Sequence, residues 1–367
     1  MDSRERTFLT LEHQEPDRVP VDCWISPAMR EKVERIQNTA HREFLDKNDV
    51  DLRYIEGPRY VGPTSPLSDG LKDIDIWGVT RKLTHVYLTG EEGEYTESYR
   101  QVICSPLQDA RSVDELLEYE HWPSPEWFDY EVIEEQCLEI KDAGRVVVFM
   151  GDRLNRIAQL KPACYLRGFE QVFIDMMENP DIARALFQKI SEFYLEYGQR
   201  ILEAAKGNID ILCTGDDFGT QNAPLISLSM WRNFLKPGFK EFIRLGKDHG
   251  SYVMHHTCGS ISPIIPDMIE CNLDILQSLQ PEAANMDPRL LKEVFGGRLC
   301  FQGGISIQKI LPKGSPEDVR RHVQEVLEVM SPGGGYIACT SHNIQADTSI
   351  RNLQALFTAY RDFGRYK

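Results

Sequence analysis

Short apolar runs recur along the chain, and between them lie stretches with the hydrophobic spacing of helices. Each run is five or six residues long, which is the usual length of a strand that is buried on both faces. The eight predicted strands are Val19–Trp24, Asp51–Ile55, Arg145–Met150, Ile209–Thr214, Ser251–His256, Leu273–Gln277, Arg298–Gln302 and Gly335–Cys339.

Helical patterns separate most of these runs. Pro180–Ala204 and Pro316–Met330 are examples, each with apolar residues three or four positions apart. Strands that alternate with helices indicate a parallel sheet, and eight of them indicate a closed barrel. An open, doubly wound sheet is the alternative, but no GxGxxG follows the first strand. The pattern therefore predicts an α/β fold, a single (β/α)8 TIM-type barrel domain over residues 1–367.

The interval between the second and third predicted strands is too long for one crossover. Within it, Thr80–Leu88 and Tyr95–Cys104 read as strands on either side of a glycine-containing turn. We therefore predict a β-hairpin insertion at about residues 57–142, which would serve as a lid, a dimer contact or a decorative loop.

Composition limits the partners of the protein. Acidic residues outnumber basic ones 57 to 41, for a net charge of −16, which argues against binding to nucleic acid. No run of 18 apolar residues occurs and the first residues are charged, so we expect neither a membrane span nor a signal peptide. The nine scattered cysteines form no CxxC pair and fit a reduced, cytoplasmic setting.

In a barrel of this type, function lies where the strands end at their carboxyl termini. Polar and aromatic side chains are predicted to converge there. They are Trp24, Ser26, Glu56, Arg59, Asp152, Arg153, Asn155, Asp216, Asp217, Gln221, Asn222, His256, Cys258, Gln277, Gln280, Gln302, Cys339, His342, Asn343 and Gln345.

His256 and Cys258 are the most informative pair. Side chains alternate along a strand, so these two point the same way, and imidazole and thiolate are ligands that zinc prefers. Either Cys339 or His342 would complete a three-ligand site with an open position. The alternative is that both are ordinary buried residues. His255 faces away, toward the layer between barrel and helices.

Asp216 and Asp217 form a carboxylate pair at another strand end. One reading is structural, with one of them capping a helix or turn and the other solvated. The other reading is functional, with one contacting a substrate or metal or acting as a general acid or base. The sequence leaves both readings open.

Four segments spread over the chain form a recognisable set of motifs. They are Leu11–Val21, His256-Thr257-Cys258-Gly259, Phe301-Gln302-Gly303-Gly304-Ile305, and His342-Asn343-Ile344-Gln345 followed by Asn352. Together they resemble the uroporphyrinogen decarboxylase superfamily. The resemblance covers essentially the whole chain and implies a (β/α)8 barrel.

The superfamily has two main branches, the decarboxylases and the corrinoid-dependent methyltransferases, and the chain resembles the second more than the first. The decarboxylases carry closely placed arginines near the N-terminus, whereas residues 21–30 here offer only Arg30. The corrinoid-dependent methyltransferases move a methyl group between a corrinoid protein and a small molecule. Their methylcobamide:thiol members hold zinc by an HxC pair and a distal cysteine. His256 and Cys258 match that pair.

The distal ligand position is where the chain departs from the methylcobamide:thiol pattern. Aligned through Asn352, it falls on His342, with Cys339 as a substitute after a small loop shift. The sequence His-Asn-Ile-Gln after Ser341 looks more like that of members associated with O-demethylation.

The resemblance implies a zinc-assisted methyltransferase. It would move a methyl group between an aryl or alkyl methyl ether, or a thiol, and the corrinoid (cobalamin) of a small partner protein, and a homodimer is plausible. Asp216, Asp217 or Glu56 would stabilise the leaving oxygen. The expected substrate-binding residues are Trp24, Tyr54, Phe218, Gln221, Gln280, Gln302 and Asn343.

Two other functions remain open at this stage. A metal-independent decarboxylase, acting on a porphyrinogen-like or smaller acid, would need arginines in the cavity and no zinc. A corrinoid- or tetrapyrrole-binding protein without turnover would not need a soft metal site, so the HxC pair argues against it.

Overall fold

A computed structural model describes residues 1–64, 72–151 and 156–366. Seven parallel strands form one curled sheet in the order β1-β7-β8-β9-β10-β11-β12. The strands are β1 (Leu52–Tyr54), β2 (Arg59–Tyr60), β3 (Lys72–Ile74), β4 (Thr80–Gly90), β5 (Gly93–Cys104), β6 (Phe128–Asp129), β7 (Val146–Phe149), β8 (Ile211–Gly215), β9 (Tyr252–His256), β10 (Ile275–Leu279), β11 (Cys300–Ile305) and β12 (Tyr336–Thr340).

Helices cover the outside of this sheet. They are α1 (Ser3–Leu11), α2 (Pro27–Gln37), α3 (His41–Lys47), α4 (Val113–Leu117), α5 (Ile133–Asp142), α6 (Leu160–Arg167), α7 (Phe169–Glu178), α8 (Pro180–Ala204), α9 (Leu228–Met230), α10 (Lys236–Asp248), α11 (Ile265–Glu270), α12 (Pro288–Phe295), α13 (Ile310–Lys313), α14 (Pro316–Met330) and α15 (Ile350–Phe363). Within the described ranges, no helix combines the length and the apolar character needed to cross a membrane. The alternation of strands and helices confirms the α/β class.

The first predicted strand, Val19–Trp24, is not a regular strand, yet it joins the two edges of the sheet. Val21 forms a parallel bridge with Ala338 of β12, and the Asp51 backbone N–H, just before β1, donates to Val21 O at 2.8 Å. Pro20 has no N–H to donate, and the Val21 N–H goes to the Asp51 carboxylate at 2.8 Å. Regular pairing is therefore lost, but the barrel is closed.

The apolar side chains of the strands alternate between two packed layers. Val146, Val148 and Met254 lie in a cluster inside the barrel, whereas Val147 and Phe149 pack against the helices. This is the two-residue period of a strand, and it explains why these strands read as continuous apolar runs. The same alternation along β9 places the side chain of His256 inside the barrel and that of His255 outside it.

The hairpin lies between β1 and β7, the second and third predicted strands. β4 and β5 pair antiparallel along their length, and Gly90 opposite Gly93 closes a tight turn. Glu92, in the turn, forms an ion pair with the buried Lys32 of α2 at 2.8 Å. Helix α5, which ends at Asp142, packs on β7.

Candidate metal centre

Three side chains from two strand ends meet in the mouth of the barrel. One ligand atom each from His256, Cys258 and His342 lies within 4.8 Å of the others, and His256 Nε2 is 3.6 Å from Cys258 Sγ. The rings of His256 and His342 are 5.8 Å apart. Two imidazoles and a thiol suit zinc, and three protein ligands leave a fourth position for a reacting molecule. The donor set therefore fits the expected metal.

A buried chain of hydrogen bonds orients His256. Its Nδ1 lies 3.0 Å from Gln277 Oε1, and Gln277 Nε2 donates to Gln302 Oε1 at 2.8 Å. Gln302 Nε2 in turn donates to Asp22 Oδ2. Because each amide donates in the same direction, Gln277 offers only its oxygen to His256. Nδ1 then carries the proton and Nε2 keeps its lone pair for a metal.

The chain ends on a carboxylate that is enclosed by donors. Asp22 Oδ2 also accepts from Tyr54 Oη at 2.6 Å, and Oδ1 accepts from the Cys23 backbone at 2.8 Å. Burial raises the pKa of Asp22, while these hydrogen bonds lower it. The Cys339 thiol points to the same Oδ2 at 4.0 Å. Within the described residues, Cys339 thus contacts Asp22 and is not a member of the three-residue group.

The Asp216 side chain caps a helix, which is the structural role considered above for one member of the carboxylate pair. Its oxygens accept from the backbone N–H groups of Gln159, Leu160 and Lys161 at 2.6 to 2.7 Å. These are the unpaired donors at the N-terminus of α6. Burial raises the pKa of Asp216 to about 6, and its side chain is turned to the helix.

Asp217 is the carboxylate beside the three-residue group. Its Oδ1 accepts from the Cys258 backbone at 3.0 Å and lies 3.9 Å from His256 Nε2, while its Oδ2 pairs with Lys161 Nζ at 2.7 Å. Burial disfavours the charged form, but the Lys161 ammonium outweighs it and holds the pKa of Asp217 well below its usual range. Asp217 is therefore an anion in the mouth.

His256, the last residue of β9, and Cys258, two residues further along the chain, both favour their uncharged forms. Burial, followed by the nearby Arg156 guanidinium, lowers the pKa of His256, so its imidazole is neutral, as a metal ligand must be. Burial raises the pKa of Cys258 to about 12, which keeps the thiol protonated. A metal would have to displace that proton, so metal binding at this site should release it.

Trp24 packs against His256, and Tyr54 packs against Trp24. The Trp24 ring is 5.5 Å from the ring of His256 and 6.0 Å from that of Tyr54. Phe218 is a correction: it is 1% exposed and stacks on His255, 5.3 Å away, in the layer between strands and helices. Its chain position follows β8, but its side chain points out of the barrel.

The side-chain amides that the sequence analysis assigned to substrate binding make different contacts. Gln302 is fully buried in the chain that leads to His256. Gln280 accepts from the Gly259 backbone at 3.0 Å and donates to the exposed Gln221 at 3.2 Å, so both hold loops together. Asn343 hydrogen-bonds His342 through Oδ1 and Nδ1 and orients that ring.

Glu56, the third expected carboxylate, follows β1 and is exposed. Two residues that the sequence analysis did not single out lie closer to the group: Lys161, which pairs with Asp217, and Arg156. The prediction for the loop after β7 stopped at Asn155, one residue short. Asp152, Arg153 and Asn155 lie outside the described residues.

The chain belongs to the uroporphyrinogen decarboxylase (URO-D) family. The family model matches residues 157–363, more than half of the chain. This confirms the resemblance inferred from the motifs and places His256, Cys258 and His342 within the matched region.

Individual relatives are methyltransferases. The chain is 23% identical over 238 residues to a methylated-thiol–coenzyme M methyltransferase of Methanosarcina mazei. It is 25% identical over 177 residues to the methylcobamide:CoM methyltransferase MtaA of Methanosarcina barkeri. The matches cover 61% and 47% of this chain and span 60% and 47% of the relatives' lengths.

A solved structure shares the whole fold. A methyltransferase from Methanosarcina mazei superposes with a TM-score of 0.66 at 17% identity, over 99% of both chains. This confirms the barrel architecture.

Proposed function

We propose that the protein is a methyltransferase that moves a methyl group between a small ether or thiol and a corrinoid carried by a small partner protein. The observation that carries the proposal is the group of His256, Cys258 and His342 within 4.8 Å at the mouth of a URO-D family barrel. The names of the matched relatives support methyl transfer and a corrinoid partner. Zinc is the metal that this donor set suits.

When bound, zinc would act as a Lewis acid on the oxygen or sulfur that carries or receives the methyl group. The chain's own residues prepare that position. Gln277 holds His256 with Nε2 toward the mouth, and Asn343 does the same for His342. Trp24 and Tyr54 form an aromatic wall on one side, which suits an aryl substituent.

Asp217 is the carboxylate that we assign to the reaction. It contacts Cys258 through the backbone and stands 3.9 Å from His256 Nε2, whereas Asp216 caps α6 and Glu56 is exposed. Because Lys161 keeps Asp217 ionised, it acts as a hydrogen-bond acceptor for a proton on the substrate heteroatom. The paired Lys161 offers its ammonium to the negative charge that develops on a leaving oxygen.

Metal content and methyl transfer together test the proposal. We expect about one zinc per chain in the wild-type protein and almost none in Cys258→Ala. Cys339→Ala is the matched control, because its thiol is buried close by but lies outside the group, and it should keep the metal. With cob(I)alamin or methylcobalamin as the probe, wild type but not Cys258→Ala should turn over a methyl ether or thiol.

Two results would count against the proposal. A wild-type protein that folds but binds no zinc would remove the metal from the mechanism. Zinc bound with the same affinity by Cys258→Ala would move the metal to other residues.

A further inference from the structure

Arg156 is a cation in the barrel mouth that has no counter-ion in the part of the chain described. Its Nε is buried without a hydrogen-bond acceptor. A buried donor without an acceptor costs free energy, and arginine is charged at any physiological pH. The guanidinium is therefore a site where an acceptor is missing.

The position of Arg156 ties it to the metal-binding group. Its guanidinium carbon lies 5.5 Å from the centre of the Trp24 ring, and the His256 ring packs against the same indole at 5.5 Å. A Cβ added to Gly215 would touch both Arg156 Cδ, at 2.6 Å, and His256 Cβ, at 3.2 Å. The two side chains thus leave the barrel wall next to each other.

Neighbouring carboxylates do not supply the missing partner. Asp216 is engaged with the three N–H groups of α6, and Asp217 is paired with Lys161. The chain carries a net charge of −16, yet Arg156 has no carboxylate partner among the residues that the structure describes. Gly215, which has no side chain, makes room for the Arg156 side chain beside it.

We propose that Arg156 binds the carboxylate of a small anionic substrate and so directs the methylated or methyl-accepting atom at the other end to the group of His256, Cys258 and His342. The inference deepens the proposed function and rests on it. A planar guanidinium with free donors matches two carboxylate oxygens side by side. The Trp24 ring would hold the guanidinium plane in place from its other side.

Binding measured without methyl transfer tests the assignment. The probes are 4-methoxybenzoate and 3-(methylsulfanyl)propanoate, each compared with its neutral amide, titrated calorimetrically into the full-length protein without a corrinoid protein. In wild type we expect at least one acid to bind about tenfold more tightly than its amide, as a charge-assisted pair of hydrogen bonds allows. In Arg156→Gln the ratio should fall to about one, with the affinity for the amide unchanged.

Two further variants separate charge, geometry and folding. Arg156→Lys keeps the charge but loses the planar fork, so its acid preference should be intermediate. Arg244→Gln, an exposed position on α10 with the same change of charge, is the matched control and should keep the full preference. Unfolding curves for all variants show whether each is folded.

An equal acid-to-amide ratio in wild type and Arg156→Gln would overturn the proposal, and so would the absence of any acid preference in wild type. Arg156 would then be a structural cation held by Trp24. Because the assay uses neither a corrinoid nor turnover, its outcome is separate from that of the methyl-transfer test. The preference can hold where methyl transfer fails, and the reverse.

Discussion

The two ends of the barrel differ in how completely their buried polar groups are paired. At the end where the strands begin, Asp51 is fully buried and accepts from Arg6 at 2.7 Å, Arg18 at 2.7 Å and the Val21 backbone at 2.8 Å. Asp210 likewise receives Arg4 at 2.9 Å and the Val147 backbone at 2.9 Å. Every one of these carboxylates has the partners that burial demands.

At the end where the strands finish, polar groups are left incomplete. Arg156 Nε has no acceptor among the described residues, and burial raises the pKa of the Cys258 thiol to about 12, so that the thiol keeps its proton. Ser278, whose Oγ is 3.8 Å from that thiol, has a φ of 142°, which side chains rarely adopt. The fully paired network at the first end supports the fold, whereas incompletely paired polar groups at the carboxyl ends of the strands are what the proposed ligand site requires.

The largest expected effect is on zinc binding, at the end where the strands finish. His342→Ala should weaken zinc binding at least about 1000-fold, which is roughly 4 kcal/mol, because it removes one of three ligands rather than a supporting contact. Stability of the metal-free protein should change little. Competition with a chromogenic chelator measures the affinity, and the exposed His85→Ala on the hairpin is the control.

Zinc binding by His342→Ala that equals that of His85→Ala would sink this ligand assignment. In that case the distal ligand is not the residue on which alignment and geometry agree.

At the end where the strands begin, a large effect is expected on stability and none on zinc binding. Asp51→Ala leaves Arg6 and Arg18 without their shared carboxylate and should lower the free energy of unfolding by about 3–5 kcal/mol. Zinc affinity of the folded protein should stay as in wild type. Urea unfolding with a chelator assay on the same sample checks both quantities. A loss of zinc affinity without a loss of stability would break the distinction between the two ends.

An intermediate effect is expected for the hydrogen-bond chain behind His256. Asp22→Asn keeps an oxygen for Gln302 but removes the charge that polarises the chain, so zinc affinity should fall about 10-fold, within the 10–100-fold range for groups that support a ligand. Gln302→Leu interrupts the chain and should fall at the upper end of that range.

The tautomer of His256, measured by its ring 15N shifts, distinguishes this role from a merely structural one. A structural role alone would leave the tautomer unchanged. Wild type should have the proton on Nδ1, and Gln302→Leu should show a mixture. Cys339→Ala is the control, since it touches Asp22 but lies outside the chain. An unmixed tautomer together with wild-type affinity in Gln302→Leu would show that the chain does not set the ligand.

Much of this fold could be predicted from the sequence because burial on both faces leaves a strong local signal. Seven of the eight apolar runs are regular strands, and the bounds of α8 and α14 match Pro180–Ala204 and Pro316–Met330. The exception is Val19–Trp24, where Pro20 and the Asp51 side chain replace regular pairing. That replacement depends on a contact between distant residues, which periodicity does not record.

The group of His256, Cys258 and His342 could also be predicted in part, because two of its members lie at the end of a buried strand. Strand alternation places His256 inside the barrel and His255 outside, and Cys258, just beyond the strand, lies 3.6 Å from His256. Alternation does not extend into loops, so it gave no means of seeing that Phe218 turns outward. Nor did it identify Arg156 and Lys161, whose roles depend on Gly215 and Asp217 nearby in space.

The smallest expected effect is on the hairpin, which belongs to neither end of the comparison. Tyr87 of β4 is 78% exposed, so Tyr87→Ser should change the free energy of unfolding by less than about 0.5 kcal/mol and leave zinc affinity unchanged. Tyr95 of β5 is the matched contrast, because it is 8% exposed and its ring lies 4.6 Å from Lys32 Nζ.

Tyr95→Ser should destabilise by roughly 3 kcal/mol, since it empties a buried aromatic site. Urea unfolding of both variants makes the comparison. If Tyr87→Ser lowers zinc affinity while Tyr95→Ser does not, the outer face of the hairpin communicates with the mouth. The insertion then forms part of the functional end of the barrel, because a decorative hairpin could lose stability but could not alter a metal site through an exposed side chain.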